Sequence, residues 1–328
     1  MANNEFIGRR VSVGLGVEST YGTATAPTIW TRQLKMNFQR KTTRVENDSA
    51  MGRIEKINDS AVVEEWAEGT LEGKVYDTSI GYLLYNIFGT CVNTTNADVS
   101  NTVYNHTIDV AQTNVAKSLT IARVDPISSR RHAMGTLLNL DITADAGNWV
   151  MFSSAIQAQI GATSSDTAAY AVENAFTSKH ITVKLAANVA GLGAATALAI
   201  KHLKLSIKEA TTPYYAHGSI DPAAFNTGAW EATGEVTLRY VDGTLESNWF
   251  TNAIQAMSIA FKNTDVTIGT STNPSLTFTA PRVRLNTFAM SDALDTVVEQ
   301  TVGFTCELDT SAAYALRAVL VNTAPTIP

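Results

Sequence analysis

The chain has 328 residues, 45% of them hydrophobic and 16% charged, and a formal net charge of −6, which is enough for one large or two ordinary domains that each bury a core. The acidic balance speaks against the clustered Lys/Arg surface that tight binding to phosphate backbones needs. The two cysteines, Cys91 and Cys306, lie far apart and outside any CxxC or Cys/His cluster, which speaks against a disulfide framework or a zinc site and leaves two reduced, partly buried thiols.

The first residues, Met-Ala-Asn-Asn-Glu, lack the basic start and apolar core of a signal peptide, so the chain is expected to stay in the cytoplasm where it is made. Runs of period two then mark half-buried strands. The first covers residues 34–38. Residues 41–65 carry ten charged side chains of mixed sign, too many to fold on a core of their own, and are expected to form a solvated, mobile loop.

A strand with Trp66 and Gly69 leads to Asp77. Residues 78–88 then place Ile80, Leu83, Leu84 and Ile87 on one helical stripe, with Asp77 or Thr78 as N-cap. After a polar loop at 93–102 come a strand at 118–121, a small basic cluster at Arg130, Arg131 and His132 that suits a hairpin tip or subunit contact, and turn-forming residues at 163–167.

A strand at 180–185 runs into the longest uncharged apolar stretch, 185–200. It is rich in Ala and Gly, falls short of the roughly 20 residues of a membrane helix, and reads as a strand and a small-residue loop. Strands at 203–207 and 234–240 flank a segment, 208–229, with only Lys208, Glu209 and Asp221 as charges. A helix is expected over 243–257, with Leu245, Trp249, Phe250 and Ala253 on its stripe and Asp242 as N-cap. A strand at 275–278 follows. Short antiparallel strands with polar turns imply a sandwich or barrel.

The pattern occurs twice. Leu34-Lys-Met, Trp66, Gly69, Asp77 and a helix correspond to Leu203-Lys-Leu, Trp230, Gly234, Asp242 and a helix, with eight residues from Gly to Asp in both copies. Ser118-Leu-Thr matches Ser275-Leu-Thr. Such self-similarity at half the chain length points to a fused duplication. The expected division is an N-terminal arm over 1–30, a first module over 31–168 and a second over 169–328.

The run Val13-Gly-Leu-Gly-Val-Glu18-Ser-Thr-Tyr21-Gly-Thr-Ala-Thr-Ala-Pro27 resembles the N-terminal signature of siphophage tail tube proteins. Further similarity lies in the strand, Asp and helix of each copy and in the closing segment 298–309 with 318–323. The resemblance implies a mainly β fold of two tandem β-sandwich or half-barrel modules, each with a short flanking helix. Inner strands of such modules join those of neighbours around a lumen, and six modules generally make a ring. Two modules per chain then imply homotrimeric, pseudo-hexameric rings stacked into the virion tail, assembled in the host cytoplasm.

The implied partners are further copies of the chain and the tail tip, tape measure and terminator proteins, with DNA passing unbound and no membrane involved. Only the first copy has the Glu18-x-x-Tyr21-Gly arm, so Glu18 and Tyr21, with Arg44, Glu46, Asp48, Arg53, Glu55, Lys56 and Asp59 of the charged loop, are the expected contacts between rings. A passage for DNA should be acidic or neutral, and Glu68, Glu72 and Glu235 on the paired strands are the candidates to line it.

No reaction is legible. There is no phosphate-loop pattern, and the Gly-Leu-Gly triplets at 14–16 and 191–193 read as flexible turns. His106, His132, His180, His202 and His217 are scattered, without the spacing that puts two ligands on one helix face. His106 with Asp109, and Asp292 with Asp295, are routine neighbours in strands and turns. No cofactor or metal is implied. The competing expectations are a receptor-binding β-sandwich, which would show a ligand pocket, and another virion shell component such as a tail terminator or capsid decoration protein.

Overall fold

The computed structural model describes residues 6–113, 117–291 and 293–327. Nineteen strands and two α-helices lie among them. The first half holds β1 (Ser12–Val17), β2 (Ile29–Thr31), β3 (Gln33–Asn47), β4 (Asp59–Lys74), α1 (Ser79–Phe88), β5 (Gly89–Thr95), β6 (Tyr104–Val110), β7 (Leu119–Val124), β8 (Ser129–Leu137), β9 (Asn139–Asp145), β10 (Met151–Ala158) and β11 (Ala162–Thr163). The second holds β12 (Ile181–Ala186), β13 (Ala197–Leu198), β14 (Ile200–Tyr214), β15 (Ala224–Arg239), α2 (Thr244–Phe250), β16 (Gln255–Lys262), β17 (Ser275–Ser291), β18 (Glu299–Cys306) and β19 (Arg317–Asn322). Each expected alternating run falls on one of these strands, with Ser118, His180 and Tyr240 one residue outside.

Two quartets of strands build one continuous antiparallel sheet in the order β3-β4-β10-β9-β14-β15-β18-β17, with the last place taken by the C-terminal part of β17. The seam between the halves is β9 on β14, where Ile142 faces Leu205 and Asp141 faces Ser206. One face of this sheet is apolar. Along β4, Ala67 and Leu71 are fully buried while Glu68 and Glu72, each the next residue, are only half-buried, the period-two pattern of a sheet with one face in a core.

A second layer covers that apolar face. In the first half it is β2-β1-β7-β8-β11, and in the second β13-β12-β16 beside the N-terminal part of β17. The duplication is visible in the pairing itself. Gly69 of β4 lies between Phe38 and Ile156, and Gly234 of β15 between Leu205 and Phe304. Even a bulge recurs: Leu119 and Ile121 face Gly135 and His132, while Gln255 and Met257 face Val283 and Ala280. By these pairings β12 to β15 repeat β1 to β4, β16 repeats β7, β17 repeats β8 with β9, and β18 repeats β10.

This register corrects the sequence alignment in three places. Met36, opposite Leu71, is the counterpart of Leu203, opposite Val236, so the Leu-Lys tripeptides are offset by one side-chain repeat. Ser118 precedes β7 whereas Ser275 opens β17, so the two Ser-Leu-Thr runs sit on non-equivalent strands. Trp66 lies opposite Lys41, but Trp230 lies opposite Glu209, one position out of phase. The two indoles therefore point to opposite faces: Trp66 Nε1 donates to Glu68 on the polar face, and Trp230 packs on Phe88 at 5.3 Å between ring centroids.

The glycines that anchored the repeat are required by close approach. A Cβ on Gly69 would run into the Asn37 carbonyl, and one on Gly234 into the Lys204 carbonyl and the Phe304 ring. Gly14 and Gly16, expected in a flexible turn, are in β1, where a Cβ would strike Pro27 and the Ala26 carbonyl respectively. Residues 12–31 thus belong to the body of the sandwich as β1 and β2, and do not extend from it as a free arm.

α1 is almost wholly buried and ends at Gly89, whose φ of 91° suits a C-cap. Its N-terminus is capped from a distance, since Glu173 Oε1 accepts from Ser79 N at 2.6 Å while Asp77 accepts from Asn174. Asp242 does accept from Thr244 N at the start of α2. That helix stops at Phe250, short of the expected 257, because residues from Gln255 onward pair with β17.

β5 and β6 have no counterpart in the second half. Leaving α1, they cross to the other module, where β6 pairs with β19. Asp98 in their connection accepts from Thr270 N, Ser271 N and the Thr272 hydroxyl. The strap so tied makes the two halves share one core.

Candidate assembly surfaces

The charged segment 41–65 is not a loop but the outer part of a β-hairpin. β3 and β4 stay paired as far as Asn47 and Asp59, leaving only 48–58 as a tip. Pairing of the two strands satisfies the backbone even though no core lies beneath. Arg44, Glu46, Asp48, Arg53, Glu55, Lys56 and Asp59 are all exposed, and none of the seven takes part in an ion pair among the described residues. Apolar groups are exposed beside them: Val45 is 50%, Met51 70% and Ile54 102% accessible.

The corresponding hairpin of the second half, β14 with β15, behaves differently. Its tip, 215–223, folds back on the first half, with Glu65 N donating to Ile220 O at 2.8 Å and Gln159 Nε2 to Pro222 O at 2.9 Å. Tyr21 joins this contact. Its hydroxyl accepts from Phe225 N at 2.8 Å, and burial raises its pKa.

Glu18 is 9% exposed, and its carboxylate accepts from Gly22 N, the Ser118 and Thr120 hydroxyls and Met134 N at 2.5–3.0 Å. The Glu-x-x-Tyr-Gly signature therefore closes contacts inside one chain. The expectation that Glu18 and Tyr21 reach another ring meets side chains already occupied by internal partners.

Glu68, Glu72 and Glu235 lie on the face of the long sheet turned away from the core, among Thr, Ser, Asn and Gln side chains of the neighbouring strands. Each has a basic neighbour, of which the His202 imidazole is charged only when protonated. Lys41 Nζ is 3.5 Å from Glu68, Lys35 Nζ 3.0 Å from Glu72, and His202 Nε2 3.8 Å from Glu235. Lys201 and Glu299 pair at 2.7 Å on the next strands. The face is thus polar and carries charges of both signs.

Other candidates from the sequence have partners inside the chain. His106, fully buried, lies between the amide oxygens of Asn93 at 2.5 Å and Asn322 at 2.9 Å, while Asp109 pairs with Arg317. Arg131 grips Asp166 through two bonds of 2.6–2.8 Å. Asp292 lies outside the described residues. A cleft of about 920 Å³ between the end of α1 and the β14–β15 hairpin holds Glu209, whose carboxyl is pushed up to about 7 by burial. Among the described residues no cluster of His, Cys, Asp or Glu could hold a metal ion, and no helix is long and apolar enough to cross a membrane.

His132 gives the subunit an acid-sensitive joint. Its ring is edge-on to Phe38 at 4.8 Å, Nδ1 donates to Gln159 O, and burial pushes its pKa down to about 4. The unfolded chain takes up this proton near 6.5 and the folded chain only near 4. Stability from the neutral ring is therefore complete above pH 6.5 and is lost as pH falls to 4, by roughly 3 kcal/mol. Glu209 acts in the opposite sense between pH 7 and 4.5. The difference in unfolding free energy between wild type and His132→Gln should accordingly change by that amount across pH 6.5 to 4 in denaturant titrations; a constant difference would mean that His132 takes up its proton as readily in the fold as in the unfolded chain.

A family model described as phage tail tube protein matches residues 8–306. No curated protein matches the sequence.

Proposed function

The chain belongs to the phage tail tube protein family, and from that premise we propose that three copies close into a ring of six similar modules, which stack to form the hollow virion tail. The observation that carries this reading is the long sheet. It consists of two like quartets fused at the β9–β14 seam, and it ends on strands, β3 and the C-terminal part of β17, that have no outer partner among the described residues. An unpaired edge of that length is a template for another strand, and closure into a ring removes every such edge at once.

On this reading each module begins at its own first outer strand, β1 or β12. The polar face of the sheet, which carries charges of both signs, becomes the lumen lining, where Glu68 and Glu72 are paired with lysines and Glu235 stands beside His202. A lining in which Lys and Arg stand among carboxylates offers phosphates no cluster of cations to bind, so DNA slides through during ejection. The free hairpin 41–65 provides contact with the adjacent ring. Tail tip, tape measure and terminator proteins are the expected partners at the ends and inside, with assembly in the host cytoplasm and no reaction catalysed.

The test is native mass spectrometry of rings released from purified tubes, together with electron microscopy of the tubes in projection. Three chains per ring with near-sixfold density is the expected result. Six chains per ring, or discrete particles that never form tubes, would refute it.

A further inference from the structure

The internal seam can be carried over, residue by residue, to the seam between chains, an inference that rests on the ring reading above. Ile142 of β9 faces Phe152, which faces Gly73; Met290 of β17 faces Gln300, which faces Leu238. Gly73 and Leu238 stand at the same distance beyond the paired glycines Gly69 and Gly234, so Met290 is the counterpart of Ile142. On the other side, Phe38 faces Gly69 as Leu205 faces Gly234, so Phe38 is the counterpart of Leu205.

Within the chain Ile142 faces Leu205. We infer that Met290 faces Phe38 of a second copy, with residues 287–291 of β17 antiparallel to residues 37–41 of β3: Thr287 opposite Lys41, Ala289 opposite Gln39 and Ser291 opposite Asn37.

Two features of the single chain agree with this register. First, Ile142 and Leu205 are fully buried at the internal seam, whereas Met290, on the same face at the open edge, is 49% exposed. Pairing in this register covers it as Leu205 covers Ile142. Second, the internal seam brings the β14–β15 hairpin against α1, where Trp230 Nε1 donates to Ile87 O at 3.1 Å. The same operation brings the β3–β4 hairpin of the next copy towards α2. Both partners are bare in one chain: Phe250 on α2 is 82% exposed and Val45 on the hairpin 50%.

A slip by one residue would turn Met290 to the lumen and put Ala289 in the core layer, so the register is specified by burial. A slip by two keeps the faces and must be excluded by experiment.

The test is a cysteine pair, Gln39→Cys with Ala289→Cys, in a Cys91→Ser background. Cys306 can remain, because it is buried and its thiol is pushed up to about 12. Assembled tubes are oxidised mildly and run on a denaturing, non-reducing gel. Cross-linked dimer and trimer are expected, with trimer the last product. The displaced pair Asn37→Cys with Ala289→Cys, about 7 Å out of register at the rise of a β-strand, should stay monomeric.

Cross-linking of the displaced pair in place of the first, or of neither in well-formed tubes, would overturn the register. A ladder running to six with the first pair would uphold the register and defeat the threefold ring. Should either double variant fail to assemble, hydrogen exchange on the unmodified chain decides: those amides of 37–41 and 287–291 that point away from β4 and β18, every second one along each strand, should be exposed in free subunits and protected in tubes. Equal exchange in both states would overturn the pairing.

Discussion

Glu18→Ala is expected to lower the melting temperature of the isolated subunit by about 10 °C, whereas Glu18→Gln should lose less than half of that. The carboxylate is the common acceptor for four donors on three separate pieces of chain: Gly22 N in the turn after β1, the Ser118 and Thr120 hydroxyls at β7, and Met134 N in β8. Alanine leaves these buried donors without a partner. Bonds to a charged acceptor that cannot be replaced by water cost about 3–5 kcal/mol when lost together. At a few degrees per kcal/mol for a chain of this size, the melting shift follows.

The effect should also be local in origin. Gly22 has a φ of +78° and Met134 one of +56°, so Glu18 holds two backbone turns in the left-handed region as well as joining strands. Glutamine keeps one acceptor oxygen and the side-chain length. Calorimetry of the three proteins makes the comparison. A shift of only a degree or two for alanine would mean that water replaces the carboxylate, and that Glu18 is open to solvent and to other chains after all.

What was legible in the sequence was what short-range chemistry determines. Strand runs such as Leu203–Ile207 announce themselves because alternate residues meet different solvents. The spacing from Gly69 to Asp77 and from Gly234 to Asp242 located the repeat because both glycines stand where a strand leaves no room for a Cβ. Register was not legible to the same degree. Moving a strand by two residues keeps every side chain on its face, so Leu34 and Met36 are equally good partners for Leu203 on pattern alone, and only pairing to Leu71 decides.

Long-range choices were hidden for a related reason. Alternation marks β6 as a strand but does not name its partner, and nothing local says that it leaves its own half to pair with β19. The candidate surfaces divide in the same way. Charge density correctly singled out 41–65 as a segment without a core, but two strands that pair only with each other carry no apolar face for a pattern to reveal. Glu18 and Tyr21 were found by their motif. Their surroundings, Met134 and Phe225, lie more than a hundred residues away and give no signal near the motif.

Replacing residues 48–58 with Asn-Gly should leave the subunit's melting temperature within about a degree of wild type and abolish tube formation. The tip contributes nothing to the core, being exposed throughout, and Asn47 already faces Asp59 across the hairpin, so a two-residue turn closes the same ribbon. Surface changes of that kind move stability by at most a few tenths of a kcal/mol. Assembly is another matter.

The tip exposes Met51, Ile54 and Ile57 together with charges that have no ion-pair partner among the described residues. Such an edge is an aggregation hazard unless a partner covers it. If that partner is the next ring, the shortened chain still closes rings through its sheet edges but cannot stack them, and sedimentation with microscopy should find rings alone. Arg44→Glu combined with Arg53→Glu should show the electrostatic share of the contact. Stacking weakens at low salt, where like charges are least screened, and recovers partly as the Debye length shrinks below about 8 Å above physiological ionic strength. Tubes of normal length from the shortened chain would remove the hairpin from the stacking contact and return that role to other surfaces of the ring.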